Sequence, residues 1–239
     1  LARPVFELKA LESRVAPILE AVQQEGDAAL YRFTEKFDQV KLDELRVSAK
    51  EITAAEAQVS EPLKAAIQLA KANIERFHQA QWEPVNEIET MPGVRCWRKS
   101  VPISRVGIYI PGGTAPLFSS ILMLGVPAVI AGCDTIVMCT PPGKDGKVNP
   151  TMLYTAQLLG IEHIYKVGGA QGVAAMAYGT ESVPQVYKIF GPGNQYVTLA
   201  KQLVSKEQTA IDMPAGPSEV AVVADQTAHP AFVAADLLS

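Results

Sequence analysis

The sequence predicts an α/β fold: a doubly wound parallel sheet covered by helices, preceded by an N-terminal helical region and a β-hairpin. Three observations carry this. From Val106 onward, short apolar runs alternate with stretches of helical spacing. Each run is apolar on both faces, as expected for a parallel strand with helices on either side. Turns rich in Gly and Pro follow the runs, at Pro111-Gly112-Gly113, Pro141-Pro142-Gly143, Gly168-Gly169 and Gly191-Pro192-Gly193. Right-handed crossovers would place these turns on one edge of the sheet, the edge where open α/β sheets bind ligands.

The elements follow in chain order. Val15, Ile18, Leu19 and Val22 share one helical face, and Gly26 ends it. Asp27 is placed to cap a second helix that buries Leu30, Phe33 and Phe37. Ser48 and Glu51 have capping-box spacing for a third. Ser60-Glu61-Pro62 opens a fourth, which runs to about Gln81, with Leu63, Ile67, Ala70, Ile74 and Phe77 on its apolar face. Val85–Thr90 and Val94–Arg98 flank Met91-Pro92-Gly93; Pro followed by Gly suits the centre of a type II turn, so the pair reads as a hairpin. The predicted strands are then 106–110, 135–140, 163–167, 186–190 and a last one from 218 or 219 to 224. The helices between them cover 115–131, 151–159, 170–178 and 194–204. A domain boundary falls near 104–109, dividing residues 1–105 from a body at 106–224.

Composition narrows the function. The chain has 239 residues, 48% of them apolar, and a net charge of -4. Without a basic patch or an aromatic stripe among cations, it does not read as a nucleic-acid binder. The longest apolar run, 115–133, is interrupted by Ser119, Ser120 and Pro127 and reads as a buried helix rather than a membrane span. No secretory signal is visible, although the chain starts at Leu1 rather than Met. The three cysteines, Cys96, Cys133 and Cys139, have no metal-ligand spacing and suit a reducing cytosol. The three histidines, His78, His163 and His229, have no paired spacing, and His78 reads as the solvated partner of Glu75.

The best site candidates sit at the turns. Glycine lets backbone approach a ligand closely, and the N–H groups of the helix that follows can bind phosphate. Gln171 and Asn194, just beyond their turns, offer donors and acceptors; Tyr109 closes the first sheet strand and can stack or hydrogen-bond. Ser218, at the Gly216-Pro217 turn, can hydrogen-bond a polar substrate, and Asp212 can cap or orient that loop. Each turn read singly is equally compatible with a tight βα connection and no more. There is no G-x-G-x-x-G, so a dinucleotide site here departs from the usual fingerprint.

Six tracts carry a resemblance: NIERFH (73–78), PGVRCW (92–97), VGIYIPGGTAPLFSSILMLGVPA (106–128), VGGAQGVAAMAYGTESVP (167–184), IFGPGNQYVT (189–198) and IDMPAGPSEV (211–220). In these the chain resembles the histidinol dehydrogenases, over nearly its whole length and in the family's order. The resemblance implies incomplete Rossmann-like domains, with 1–105 part of a first and 106–224 an NAD-binding one, and 225–239 the start of a segment returning to the first. It implies a cytoplasmic, homodimeric, zinc-requiring, NAD-dependent alcohol and aldehyde dehydrogenase that oxidises L-histidinol through the aldehyde to L-histidine in histidine biosynthesis. The family's NAD contacts fall on Tyr109, Gln171 and Asn194, and a substrate contact on Ser218. After the tract matching 235–239 the family continues with Gln-x-Glu-His, which supplies two zinc ligands; the other ligands and a Glu/His base pair come later. The resemblance therefore implies that no catalytic base or metal ligand lies within this chain and that the chain alone is inactive. Two rival classes stand beside it: a non-catalytic nucleotide- or phosphate-binding module, and a structural unit without ligand affinity.

Overall fold

A computed structural model describes residues 8–113, 115–214 and 220–238. Helix α1 (Leu8–Glu25) turns into α2 (Asp27–Asp38) at Gly26, whose φ of 57° only glycine adopts freely. Asp27 does not cap α2 with its side chain. Its carboxylate instead accepts from the Ser182 N–H at 3.3 Å and from the Ser182 hydroxyl, while its own N–H donates to Glu181 at 2.8 Å. The corner is thus fastened to a loop far away in sequence. In α3 (Ala49–Glu56) the capping box forms: the Ser48 hydroxyl accepts from Glu51 N–H at 3.2 Å and the Glu51 carboxylate accepts from Ser48 N–H at 2.9 Å.

Helix α4 (Glu61–Gln79) packs through Leu63, Ile67, Ala70 and Ile74, but Phe77 lies 64% exposed because no described element covers the last turn of the stripe. Glu75 pairs with Lys71, four residues before it, and His78 Nδ1 meets Gln81 at 2.8 Å, so the predicted His78–Glu75 pair is replaced on both sides. The hairpin forms from β1 (Ile88–Met91) and β2 (Val94–Cys96), shorter than predicted, with Gly93 at φ 82° as a type II turn requires. Both strands are exposed along their length.

The sheet follows. Its elements are β3 (Arg105–Tyr109), α5 (Phe118–Ala131), β4 (Thr135–Cys139), α6 (Pro150–Leu158), β5 (His163–Tyr165), α7 (Gly169–Tyr178), β6 (Lys188–Phe190), α8 (Gln195–Ser205) and β7 (Ala210–Ile211). The strand order is β5-β4-β3-β6-β7, and every neighbouring pair is parallel. Alternate residues feed two cores. Tyr109, Val137, Cys139 and Tyr165 join α1, α2, α7 and α8 on one face; Ile108, Met138 and Ile164 join the cluster of α3, α4, α5 and α6 on the other. The N-terminal helices therefore cover both faces of the sheet.

The final predicted strand is corrected. Residues 220–224 form no strand, and Val223 is fully exposed; Ala210 and Ile211 pair with Lys188 and Ile189 instead. The run Val220–Ala224 has the stronger β pattern, but the edge of the sheet goes to the short segment that leaves α8 directly. A ninth described helix, α9 (Pro230–Leu238), has no counterpart in the sequence reading. No helix among the described residues is long and apolar enough to cross a membrane.

Candidate functional site

From β3 the chain runs outward through β4 to β5, then returns to lay β6 and β7 on the opposite side of β3. The order reverses between β3 and β6, and the crevice outside the carboxyl ends of these strands is the switch point at which such sheets bind ligands. Tyr109 closes β3 and Phe190 closes β6. A cavity of about 960 Å³ opens there, lined by Tyr109, Gln171 and Asn194 together with Gly112, Gly113 and Gly169. Helices α1 and α2 build the facing wall through Ile18, Phe33 and Phe37. Phe37, predicted to be buried, is 49% exposed because it lines the open cavity, with one face stacked on Phe33.

Tyr109 is 3% exposed and its hydroxyl oxygen accepts from Gly169 N–H at 2.9 Å. Burial pushes its pKa up to about 12, with the Gly169 bond pulling the other way and Asp38 adding to the rise. It is a donor at neutral pH, not a base. Gln171 is 1% exposed, and its carboxamide has no hydrogen-bond partner among the described residues. It lies over Gly169, where φ is 60° and an added Cβ would come 2.7 Å from its oxygen. Asn194 is the N-cap of α8: its Oδ1 accepts from Tyr196 N–H at 3.0 Å and Val197 N–H at 3.1 Å, which leaves its NH₂ to donate.

The turn that carries Asn194 is held from below. Gly191 has φ 127° and comes so close to β3 that a Cβ would sit 2.2 Å from the Tyr109 carbonyl oxygen. Its carbonyl accepts from Lys201 Nζ at 2.8 Å, its N–H donates to Asp212 at 2.8 Å, and Lys201 and Asp212 form an ion pair. Asp212 thus orients the Gly191 turn; the Gly216-Pro217 loop, which its position in the sequence suits it to cap or orient, lies outside the described residues. Lys201 went unread, although a lysine on the apolar stripe of Val197, Ala200 and Val204 calls for a buried partner. Asp38, on the cavity wall at the last residue of α2, was also missed. Ser218 lies outside the described residues.

Glycines where the backbone meets the cavity, a carboxamide without a partner among the described residues and a protonated phenol are the kinds of group that hold a nucleotide. Among the described residues no three His, Cys, Asp or Glu side chains gather to hold a metal ion, so they do not fit a zinc site. In a second concavity, of about 410 Å³ near the end of α4, His78 is paired with Gln81 and Arg98 with Glu83.

The histidinol dehydrogenase family profile matches residues 1–239. Histidinol dehydrogenase of Bacteroides thetaiotaomicron is 59% identical over 239 residues, all of this chain and 56% of that protein. That of Yersinia pestis is 53% identical over 242 aligned positions, again all of this chain and 54% of the relative. The crystal structure of histidinol dehydrogenase from Elizabethkingia anophelis superposes with a TM-score of 0.93 at 57% identity, covering 99% of this chain and 55% of that one. The chain spans about half the length of the relatives it matches.

Proposed function

The chain belongs to the histidinol dehydrogenase family, and on that premise we propose that it supplies the NAD cradle and one wall of the substrate site of a cytoplasmic, homodimeric enzyme that oxidises L-histidinol to L-histidine. The observation that supports this is the meeting of Tyr109, Gln171 and Asn194 at the switch point of one parallel sheet. NAD⁺, when bound, supplies the hydride acceptor. Tyr109 presents its phenolic proton, fixed in direction because the oxygen is already held by Gly169. Asn194 donates through its amide, since the cap consumes its oxygen. Gln171 offers both functions from a water-poor position, where each bond counts for more. Ser218 contacts the alcohol substrate. Zinc and the base that takes the hydroxyl proton are contributed from the family's remaining length.

Two measurements test this. Titration of NAD⁺ into the chain, followed by calorimetry, shows saturable binding, and Asn194→Ala weakens it by about five-fold, the loss of roughly 1 kcal/mol of hydrogen bonding. In a polypeptide that joins this sequence to the family's remaining length, L-histidinol and NAD⁺ yield NADH, and Ser218→Ala raises the KM for histidinol rather than for NAD⁺. Binding without turnover in that longer polypeptide favours the non-catalytic nucleotide module.

A further inference from the structure

The carboxylate of Asp38 stands on the wall of the 960 Å³ cavity and makes no hydrogen bond with any described residue. Its Oδ2 is buried without a partner. The placement is costly twice over. A buried carboxylate oxygen needs a donor, and a negative charge on the last residue of a helix faces the negative end of the helix dipole. Nothing in the packing compensates. Arg14 and Lys36 line the same cavity, yet neither forms an ion pair with Asp38 or with any other described acid. Burial raises the Asp38 pKa to about 6, as expected of a carboxyl group whose donors are missing. Groups strained in this way, in a cleft and beside other convergent polar atoms, mark ligand contacts.

We propose that Asp38 accepts a hydrogen bond from a ribose hydroxyl of the dinucleotide, with Arg14 and Lys36 facing its phosphates. This rests on the NAD reading of the cavity. The chemistry is complementary on each side. Around the cavity Tyr109 and Asn194 remain as donors, Gln171 is both, and Asp38 when ionised only accepts. A ribose diol needs an acceptor for its hydroxyl protons, and Asp38 is the anionic one that the wall provides. Arg14 and Lys36 supply the positive charge that a diphosphate needs. The sheet lacks the G-x-G-x-x-G turn, and Asp212, just beyond β7, is already engaged by Lys201 and Gly191; the unpartnered acid comes from the N-terminal helical pair instead, across the cavity.

The test uses the whole 239-residue chain, NAD⁺, and NAD⁺ analogues that each lack one ribose hydroxyl. The unsubstituted chain is expected to bind one of the deoxy analogues about ten-fold more weakly than NAD⁺, as for a hydrogen bond to a charged group. Asp38→Ala binds NAD⁺ about ten-fold more weakly and no longer discriminates against that analogue, and Asp38→Asn lies between. Thermal unfolding of each variant separates a folding defect from a lost contact, because a merely structural role leaves the discrimination intact. Discrimination unchanged in Asp38→Ala overturns the proposal while the NAD reading stands. Absence of NAD⁺ binding to the unsubstituted chain overturns both.

Discussion

The sheet and the segments around it use the same kinds of residue for opposite ends. Ile108 and Met138 are buried on the strands, and Tyr109 is 3% exposed. Ile88, Met91 and Val94 in the hairpin, and Phe232 and Leu238 in α9, are exposed. The strands sit between two helical layers, so each apolar residue finds a face to fill. Among the described residues, none from the hairpin or α9 belongs to either core. Apolar character therefore does not itself make a core; cover on both sides does. The crevice lies at the border between the two regimes: its floor is the carboxyl end of the sheet and its wall runs from buried Phe33 to half-exposed Phe37 on α2, with Ile18 of α1 beside them.

The sharpest way to break this comparison is at the floor. Gly191→Ala places a methyl group 2.2 Å from the Tyr109 carbonyl oxygen, at a φ of 127° that a side chain resists. The expected loss is large, above about 4 kcal/mol, and is read from the urea midpoint. A next step pairs the two regions directly. Ile108→Ala, inside the second core, loses about 2–5 kcal/mol. Ile88→Ala in the hairpin, where the side chain is 57% exposed, loses less than about 0.5 kcal/mol. Equal losses would show that the hairpin is covered in solution.

At the border the expected effect is smaller and depends on pH. Asp38 has an ordinary value of 3.8 and stands at about 6 in the fold. The folded form therefore holds this proton where the unfolded chain has released it. Its contribution to stability is complete below the ordinary value and is lost as pH rises toward about 6. Arg14 from α1, Lys36 from α2 and Tyr109 from β3 face the same cavity. Melting temperatures across that window fall with rising pH for the native chain, and the fall flattens in Asp38→Asn.

The legible parts of the molecule are those that local pattern decides. Alternation of apolar runs and turns places every central strand, because a strand buried on both faces leaves an unbroken apolar run. The Ser48–Glu51 box was readable because both halves lie within four residues. The meeting of Tyr109, Gln171 and Asn194 was readable for a similar reason: each follows a strand of a parallel sheet, and such ends share one edge. What was missed depends on contacts distant in sequence. Asp27 bonds to Ser182, Asp38 faces a cavity floored by β3, and the 210–211 edge strand is won by proximity to β6 rather than by its own two residues. Lys201 is the exception: a cation on an apolar helix face was visible and implied an acid nearby, which Asp212 supplies.

The smallest expected effect belongs to the outer surface of α4, where Lys71 and Glu75 form an ion pair four residues apart, with side chains 24% and 32% exposed. The pair lies in water-accessible dielectric, so desolvation is modest and so is the attraction. Lysine also precedes glutamate, the less favourable order along a helix. Lys71→Ala is expected to cost about 0.3–0.5 kcal/mol at low salt, and less at high salt, where the Debye length shrinks below the reach of exposed charges. Urea unfolding at two ionic strengths reads both values. A loss that persists undiminished in high salt would mean that Lys71 contributes through its buried stem rather than its charge. That would move this face of α4 from the exposed regime toward the covered one.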